Sequence, residues 1–193
     1  EFNKQAIEYT ITYVDGSVAG NPTTYTIESD TITFADASKE HYTFLGWYNA
    51  QGNKVTEIKK GSYGDITLTA KWEAVKYLVT FIVDGAEYSS SEVAYGAVIT
   101  LPENPTKDAT AQYTYTFDKW DKLAENGTVT GDISFEAVFT ATVNKYTVTF
   151  EGNSAITVEY GTLIKDIVAN NDLTKPTKAA DAQYTYTFAK WTG

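Results

Sequence analysis

The chain has 193 residues, 42% of them hydrophobic, and a formal net charge of −10, with neither cysteine nor methionine. The absence of cysteine excludes disulfides, thiolate metal sites and cysteine nucleophiles, and no apolar run reaches the ~18 residues of a membrane-spanning helix. The acidic balance, in which all 15 basic residues are lysine, disfavours nucleic acid and anionic membranes as partners. From the absence of methionine we expect the chain to be a mature or excised piece of a longer protein.

An alternating pattern of apolar and polar residues, typical of a half-buried β-strand, opens the chain at Tyr9–Tyr13. The pattern recurs at Tyr77–Phe81 and Tyr146–Phe150, so the chain repeats itself at intervals of roughly 70 residues. Asp15-Gly16 and Asp84-Gly85 follow the first two copies directly and predict turns. A second strand is predicted in each copy, at Tyr25–Ile27, Ser91–Tyr95 and Ala155–Tyr160.

The segment after the second strand differs between the copies. In the third copy, Thr162 is predicted to cap a short helix that ends at Asn170 or Asn171. The matching stretch of the second copy carries Pro102 and Pro105, which disfavour a helix there. The apolar stripe of the predicted helix consists of Leu163, Ile164, Ile167 and Val168.

An aromatic phrase that ends in tryptophan occurs once in each copy, at Tyr42–Trp47, Tyr115–Trp120 and Tyr186–Trp191. An identical heptapeptide, Ala-Gln-Tyr-Thr-Tyr-Thr-Phe, contributes to the last two of these phrases. Because threonine and aromatic residues favour strands, the heptapeptide predicts a third strand at 113–117 and an equivalent strand at 184–188.

The recurring tryptophans are Trp47, Trp120 and Trp191, and we expect them to be shielded in the cores or between the repeats. Strict alternation from Tyr115 would place Trp120 on the opposite face of its strand. Either a β-bulge corrects the alternation, or the tryptophan covers the outer face of the sheet. An exposed platform for stacking against sugars is the third interpretation.

A closing phrase completes the first two copies, at Gly64–Trp72 and Gly131–Phe139. We therefore predict repeat 1 at 7–75, repeat 2 at 76–143 and repeat 3 at 144–193, the last without its closing strand. The joints between them, Glu73–Val75 and Thr140–Asn144, contain neither glycine nor proline. Short joints of this composition predict a semi-rigid connection.

Repeat 1 resembles the Listeria–Bacteroides repeat, also called the internalin B repeat, through Tyr9–Tyr13, Asn21–Ile27, Tyr42–Tyr48 and Gly64–Trp72. Repeats 2 and 3 are similar to sister repeats found in tandem on surface proteins of gut Gram-positive bacteria, through their Pro-Thr-Lys, Tyr-Thr-Tyr-Thr-Phe and closing Gly-Asp phrases. The resemblance implies a β-grasp-like fold, with strands curling around one helix or loop. It also implies a place in the extracellular part of a wall-attached protein, and it carries over no catalytic motif.

The strand pattern predicts a mainly β (α+β) fold class, with tandem small domains of about four strands that each have a short crossover helix or loop. The resemblance implies that these domains are β-grasp-like. Such small domains have single cores, and large aromatics help to stabilise them.

Residues that could carry chemistry are few. His41 is the only histidine, so no catalytic triad can form, and we expect it to be a surface loop residue. Five aspartates at predicted turns or strand edges do not follow the calcium-loop pattern: Asp15, Asp84, Asp118, Asp121 and Asp132. No recurrent pair of carboxylates predicts glycoside hydrolysis, and no recurrent set of lysine, asparagine and acid predicts an isopeptide crosslink. The sequence therefore predicts no catalytic, cofactor-binding or metal-binding residues, and no cofactor.

The expected function is that of a non-catalytic tandem repeat segment of a bacterial cell-surface protein, acting as an extracellular stalk, spacer or adhesive region. The alternative is a module that binds a glycan or a host protein through outer sheet faces or grooves between repeats. We expect attachment to the cell wall through regions outside this chain and no membrane insertion. In repeat 3 we expect either an unpaired strand edge or self-association by strand exchange with another chain.

Overall fold

The computed structural model describes residues 2–16, 20–122 and 127–191 of the chain. In these ranges most of the regular structure is β-strand, and the one helix is short. The mainly β fold class is therefore confirmed, whereas the curling of strands around a helix or loop stays a prediction. Among the described residues the chain divides into two compact units, Glu1–Ile82 with Glu87–Leu101 and Leu123–Phe135, and Val83–Ala86 with Pro102–Lys122 and Glu136–Gly193. These units do not coincide with the three repeats, whose boundaries stay a prediction.

The strands of repeat 1 are β1 (Tyr9–Val14), β2 (Thr24–Tyr25), β3 (Ile32–Thr33), β4 (Tyr42–Tyr48), β5 (Lys54–Val55), β6 (Glu57–Ile58) and β7 (Ile66–Ala74). Five of them form one sheet with the strand order β2-β1-β7-β4-β5. The closing strand β7 is parallel to β1 and antiparallel to β4. It therefore lies inside the sheet and carries hydrogen bonds on both edges.

The core of repeat 1 lies on one side of this sheet, where the alternating strand pattern places its apolar residues. Leu68 of β7 is fully buried, and Ile11 of β1 is nearly so. The buried cluster consists of Ile11, Tyr25, Phe34, Ala37, Trp47, Ile58, Leu68 and Ala70.

The strands of repeat 2 are β8 (Lys76–Val83), β9 (Ala86–Ala94), β10 (Tyr113–Trp120) and β11 (Ile133–Val143). They form a four-stranded sheet with the order β10-β11-β8-β9. The closing strand β11 again lies between the opening strand β8 and β10, the strand that carries the aromatic phrase. The turn between β8 and β9 has positive φ angles at both central residues, Asp84 (50°) and Gly85 (81°), which is the backbone that a two-residue hairpin loop requires.

Repeat 3 contains β12 (Lys145–Val148), which pairs antiparallel with β13 (Ile156–Glu159), and a helix α1 (Ile164–Asn170). The predicted strand at 184–188 is wrong, because those residues form no strand although the same heptapeptide does in repeat 2. The predicted strands at 113–117 and 155–160 are confirmed with small changes of bounds.

The helix α1 is confirmed, but its predicted cap is wrong. Leu163 is the residue before the helix, and Thr162 instead donates its hydroxyl hydrogen bond to the carbonyl of Glu159, at 2.7 Å. At the other end of the helix, the side-chain amide nitrogen of Asn171 donates a hydrogen bond to the carbonyl of Ile167, at 2.8 Å. Asn171 therefore ends the helix, as predicted. Of the predicted stripe, Ile167 is buried, whereas Leu163 and Ile164 are exposed.

A bulge accounts for the position of the tryptophans. The pairing register shifts between Phe44 and Gly46 in repeat 1 and between Phe117 and Lys119 in repeat 2. One extra residue in each strand returns the following tryptophan to the core face. Of the three interpretations of these tryptophans, the β-bulge is the one observed.

Candidate functional site

The recurring tryptophans are core residues in the first two repeats. Trp47 is 2% and Trp120 is 4% exposed, so their predicted shielding is confirmed. The indole nitrogen of Trp47 donates a hydrogen bond to the carbonyl of Ala35, at 3.0 Å, and its ring meets the Tyr13 ring edge-on, with centroids 5.0 Å apart. Such buried rings are not available as a platform for sugar stacking.

Trp191 of repeat 3 is more exposed to solvent than Trp47 and Trp120. Its ring packs edge-on against Phe150, at 5.1 Å between centroids, and lies tilted against Phe188, at 4.8 Å. Trp191 and Phe188 are half-buried, and Phe150 is buried. These residues, with Val148 and others, line a groove on repeat 3.

The joint between repeats 1 and 2 consists of a single residue, Val75, because β7 ends at Ala74 and β8 begins at Lys76. The backbone N–H of Val75 donates to the carbonyl of His41, at 2.9 Å. The carbonyl of Val75 accepts from the N–H of Tyr95, at 2.8 Å. Both polar backbone groups of the joint are therefore bonded, one to each repeat.

The joint between repeats 2 and 3 has the same construction. Asn144 alone separates β11 from β12. Its N–H donates to the carbonyl of Gln112, at 2.8 Å, and its carbonyl accepts from the N–H of Tyr160, at 2.9 Å. The Asn144 side chain adds hydrogen bonds to the carbonyl of Thr110 and the hydroxyl of Thr114, both at 2.7 Å. The bonding pattern of the joint is thus a repeated feature of the chain.

His41 is not the plain surface loop residue that the sequence predicted. It is half-buried at the first joint, with a positive φ of 64°. Its ring stacks on Tyr95, with centroids 4.1 Å apart, and its Nδ1 lies 2.8 Å from the hydroxyl of Tyr77. Alignment of the aromatic phrases could not have found it, since Thr114 directly precedes Tyr115 where His41 precedes Tyr42.

The aspartates of the closing phrases have a structural role that the sequence analysis missed. Asp65 accepts a hydrogen bond from the backbone N–H of Thr10, and Asp132 accepts one from Leu78, each at 2.8 Å. Thr10 and Leu78 occupy the same position in their opening strands. This aspartate therefore fixes the start of the closing strand against the opening strand in both repeats.

The other aspartates that were considered as calcium ligands have separate structural roles. Asp15 is a turn residue with a φ of 59°, Asp84 pairs with Lys107 at 2.5 Å, and Asp118 is the extra residue of the bulge in repeat 2. Among the described residues, no group of three or more histidines and acids could hold a metal ion.

Perturbed ionisable groups lie in separate places and are bound in structural hydrogen bonds. The backbone N–H of Glu136 donates to Asp121, at 2.6 Å, and lowers the pKa of its carboxyl group. The hydroxyl of Tyr186 donates to Asp181, which lowers the pKa of Asp181 and raises that of Tyr186. A hydrogen bond from Lys60 lowers the pKa of Asp30. No two perturbed carboxyls converge within the described ranges, so these groups contribute local structure.

The Listeria-Bacteroides repeat domain family matches residues 9–71 and 77–142 of the chain, which is more than half of its length. The chain belongs to this family. The resemblance that the sequence phrases predicted is confirmed, and both matched ranges run from an opening strand to a closing strand.

Curated relatives carry similar segments within much longer proteins. Internalin H of Listeria monocytogenes serovar 1/2a is 37% identical over 94 residues, which cover 47% of this chain and 16% of the relative. A putative Gly-rich membrane protein of Evansella cellulosilytica is 31% identical over 144 residues, covering 66% of this chain and 16% of the relative. A putative membrane protein of the same species is 28% identical over 163 residues, covering 79% and 24%. The chain thus spans less than a quarter of the length of these relatives.

Among solved structures, the chain is similar to Streptococcal High Identity Repeats in Tandem (SHIRT) domains 3-4 from a cell surface protein. The two share 18% sequence identity with a TM-score of 0.32, over 71% of this chain and 99% of the other. In the part of the chain that the structure describes, no helix has the length and apolar character needed to cross a membrane.

Proposed function

We propose that this chain is a non-catalytic spacer segment in the extracellular part of a bacterial cell-surface protein, attached through regions outside this chain. Family membership supports the proposal, as does the description of two relatives as putative membrane proteins. The described residues carry their recurring aromatic side chains mainly in cores, where they stabilise small domains.

The observation that carries the proposal is the pair of one-residue joints. In each joint, the N–H and the carbonyl of one residue are bonded to the repeats on either side, at Val75 and at Asn144. Because no flexible segment separates the strands, each joint restricts the backbone rotations that would let neighbouring repeats move independently. A series of such joints gives a segment whose reach grows with the number of repeats.

The surface charge is consistent with a spacer. A net charge of −10, with lysine as the source of all 15 positive charges counted, disfavours association between copies of the chain. A spacer that is presented at high density on a surface benefits from such repulsion.

The rigidity of the first joint can be measured by placing spin labels on either side of it. The chain has no cysteine, so Lys59→Cys and Glu92→Cys, both at exposed positions, introduce the only labelling sites. Electron–electron resonance should show a single narrow distance distribution. A broad distribution in the unaltered joint would contradict the spacer proposal.

A proline at the joint provides the matched comparison. Val75→Pro removes the N–H that donates to His41, so the distance distribution should broaden. Val75→Ala keeps both backbone hydrogen bonds and should leave the distribution narrow. If the proline and alanine variants behave alike, the backbone bonds do not hold the joint.

An adhesive function is the second candidate, and one observation favours it. Tyr146 and Tyr160, next to the second joint, are 45% and 47% exposed, with ring centroids 6.3 Å apart. Their counterparts at the first joint, Tyr77 and Tyr95, contact His41 and are half-buried. Because the exposed pair is not repeated, we prefer the spacer. Binding on a glycan array that is lost in Tyr146→Ala would establish adhesion instead.

A further inference from the structure

The first and last strands of repeat 1 lie side by side and run in the same direction. β1 opens the repeat and β7 closes it. The two strands are parallel neighbours, joined by successive residue pairs from Ile11↔Ile66 to Val14↔Thr69. A tensile load that is carried along the chain therefore pulls β1 towards its start and β7 towards its end. The two strands are then forced to slide past each other.

The direction of the load decides how the hydrogen bonds between these strands fail. In a parallel pair the bonds are evenly spaced and run across the gap between the strands. Sliding therefore loads all of them together, and they must break together. Peeling the strands apart from one end loads the same bonds one after another. The pair thus resists force most strongly when the load enters through β1 and leaves through β7.

Side chains in the core oppose a slip between the two strands. Ile11 of β1 and Leu68 of β7 are buried in the same cluster. The Tyr13 ring meets the rings of Phe34 and Trp47 edge-on, with centroids 6.2 Å and 5.0 Å apart. A slip of one residue would turn Ile11 and Tyr13 out of the core and bring in the threonine between them. The strands therefore have no well-packed intermediate position to slide into.

The outer neighbours of the pair indicate that β1 is the strand that yields first. On its far side, β7 is paired with β4 along Tyr42–Tyr48. The far side of β1 is paired with the two-residue strand β2, and the N–H of Ile11 donates to the carbonyl of Thr23, at 2.7 Å. Asp65 adds a bond between the starts of β1 and β7, because it accepts from the N–H of Thr10, at 2.8 Å. The load therefore concentrates on the two edges of β1.

We propose that the paired segments Ile11–Val14 and Ile66–Thr69 form a mechanical clamp, which gives repeat 1 the function of bearing tension along the chain without unfolding. The existence of a load rests on the proposed spacer function, whereas the resistance to it rests on the strand geometry alone. In repeat 2 the closing strand also neighbours the opening strand, which is the arrangement that a second clamp requires.

Single-molecule force measurements on the full chain test the clamp by changing only the direction of the load. The chain has no cysteine, so introduced cysteines at exposed positions serve as attachment points. Glu8→Cys with Glu73→Cys slides the strands past each other, whereas Glu8→Cys with Tyr63→Cys peels them from the end where both begin. The unfolding force should be about twofold or more higher in the first direction, because the bonds of the clamp then fail together. Equal forces, or a lower force in the first direction, would overturn the proposal.

Two matched substitutions separate mechanical resistance from stability. Ile11→Val in the clamp and Ile58→Val in β6 each remove one methyl group from the same buried cluster, so both should lower the free energy of unfolding in urea. Only Ile11→Val should speed unfolding under a load between residues 8 and 73, by roughly two- to tenfold. Equal unfolding rates of the two variants would mean that overall stability, and not the clamp, resists the load.

The outcome for the clamp is separate from the outcome for the spacer. A broad distance distribution at the joint would contradict the spacer function and leave the dependence of the unfolding force on direction intact. Loss of that dependence, with a narrow distribution at the joint, would contradict the clamp alone.

Discussion

Gly16 follows β1 where the chain passes the ring of Trp47. A β-carbon at Gly16 would lie 2.7 Å from the Cη2 atom of Trp47 and 3.1 Å from the β-carbons of Ala37 and Ala70. The Trp47 ring is buried and tied to Ala35 by its indole nitrogen, so it has little freedom to move away. Close packing, and not an unusual backbone angle, therefore requires glycine here.

Replacing Gly16 with alanine should destabilise repeat 1 by about 1–3 kcal/mol, because the added methyl overpacks a well-filled core. Urea denaturation, with exchange protection of Ile66–Ala74 reporting on repeat 1, measures the change. Gly131→Ala is the matched control, since nothing lies within 4 Å of a β-carbon built there. The control should be unchanged or stabilised by up to about 1 kcal/mol. Equal stability of the two variants would show that the core of repeat 1 has room at Gly16.

Tyr25 links two parts of repeat 1. Its ring is 6% exposed, and its hydroxyl donates a hydrogen bond to the carbonyl of Gly64, at 2.6 Å. Burial raises the pKa of Tyr25, and the nearby Tyr9 and Asp65 raise it further. Burial also raises the pKa of Tyr13. Ionisation of either phenol is therefore less favourable in the folded repeat than in the unfolded chain.

A raised pKa stabilises the folded state below the unfolded pKa of about 10, and this contribution is lost as the pH rises through the folded pKa. Repeat 1 should therefore lose stability above about pH 10. Tyr25→Phe should be less stable by about 1 kcal/mol at neutral pH, since its hydrogen bond is lost, but should show a smaller alkaline loss. Denaturation from pH 7 to 12 measures both effects. Tyr63→Phe, at a side chain that is 80% exposed, should follow the unaltered chain, and the same pH profile for all three proteins would contradict the role of Tyr25.

At the residue scale, the burial of the recurring tryptophans could be predicted from the sequence, whereas the surroundings of His41 could not. The tryptophans recur at one position of an aromatic phrase, and burial of a large ring has a strong physical cause. The bulge could be suspected because alternation failed in a strand that otherwise alternates. His41 could not be placed, because its partners Tyr77 and Tyr95 lie more than 30 positions further along the chain, and only the pairing of the strands brings them to it.

At the scale of the element, one heptapeptide takes two structures. Residues 113–117 belong to β10, where β11 pairs with them, whereas the identical residues 184–188 form no strand. The preceding lysine behaves alike in both, since Lys107 lies over the Tyr115 ring at 5.0 Å and Lys178 over the Tyr186 ring at 4.0 Å. Local contacts of this kind are therefore not enough to form the strand. The heptapeptide becomes a strand where β11 pairs with it.

This explains which elements the sequence could predict. Opening and closing strands alternate strictly, and their partners are present in repeats 1 and 2, so they were predicted well. The strand at 184–188 was predicted wrongly because intrinsic propensity does not include the missing partner. The end of the helix was predicted correctly, because the Asn171 side chain donates to the carbonyl of Ile167. The start was predicted wrongly, because the Thr162 hydroxyl donates backwards to the carbonyl of Glu159 and does not cap the helix.

At the scale of the whole molecule, the two joints share their backbone bonds but differ in their side chains. Val75 contributes an apolar side chain to the first joint. Asn144 adds side-chain hydrogen bonds to Thr110, Ala111 and Thr114 at the second. Sequence reasoning predicted short, semi-rigid joints from their composition. The hydrogen bonds could not be predicted, because they depend on residues 16 to 34 positions away along the chain.

Asn144→Ala should therefore loosen the second joint, while Val75→Ala should leave the first unchanged. Each lost hydrogen bond contributes at most about 1.5 kcal/mol to the free energy of unfolding, and exposure to water lowers that contribution. The expected effect is therefore a broader distance distribution and not unfolding. Spin labels at Thr116→Cys and Glu159→Cys, both exposed, report on the second joint as the pair at 59 and 92 does on the first. Asn144→Asp keeps the acceptor for Thr114 but turns a carboxylate oxygen towards the carbonyls of Thr110 and Ala111, so it should broaden the distribution at least as much. A narrow distribution in Asn144→Ala would mean that the backbone bonds alone hold the repeats, and the two joints would then be mechanically equivalent despite their different side chains.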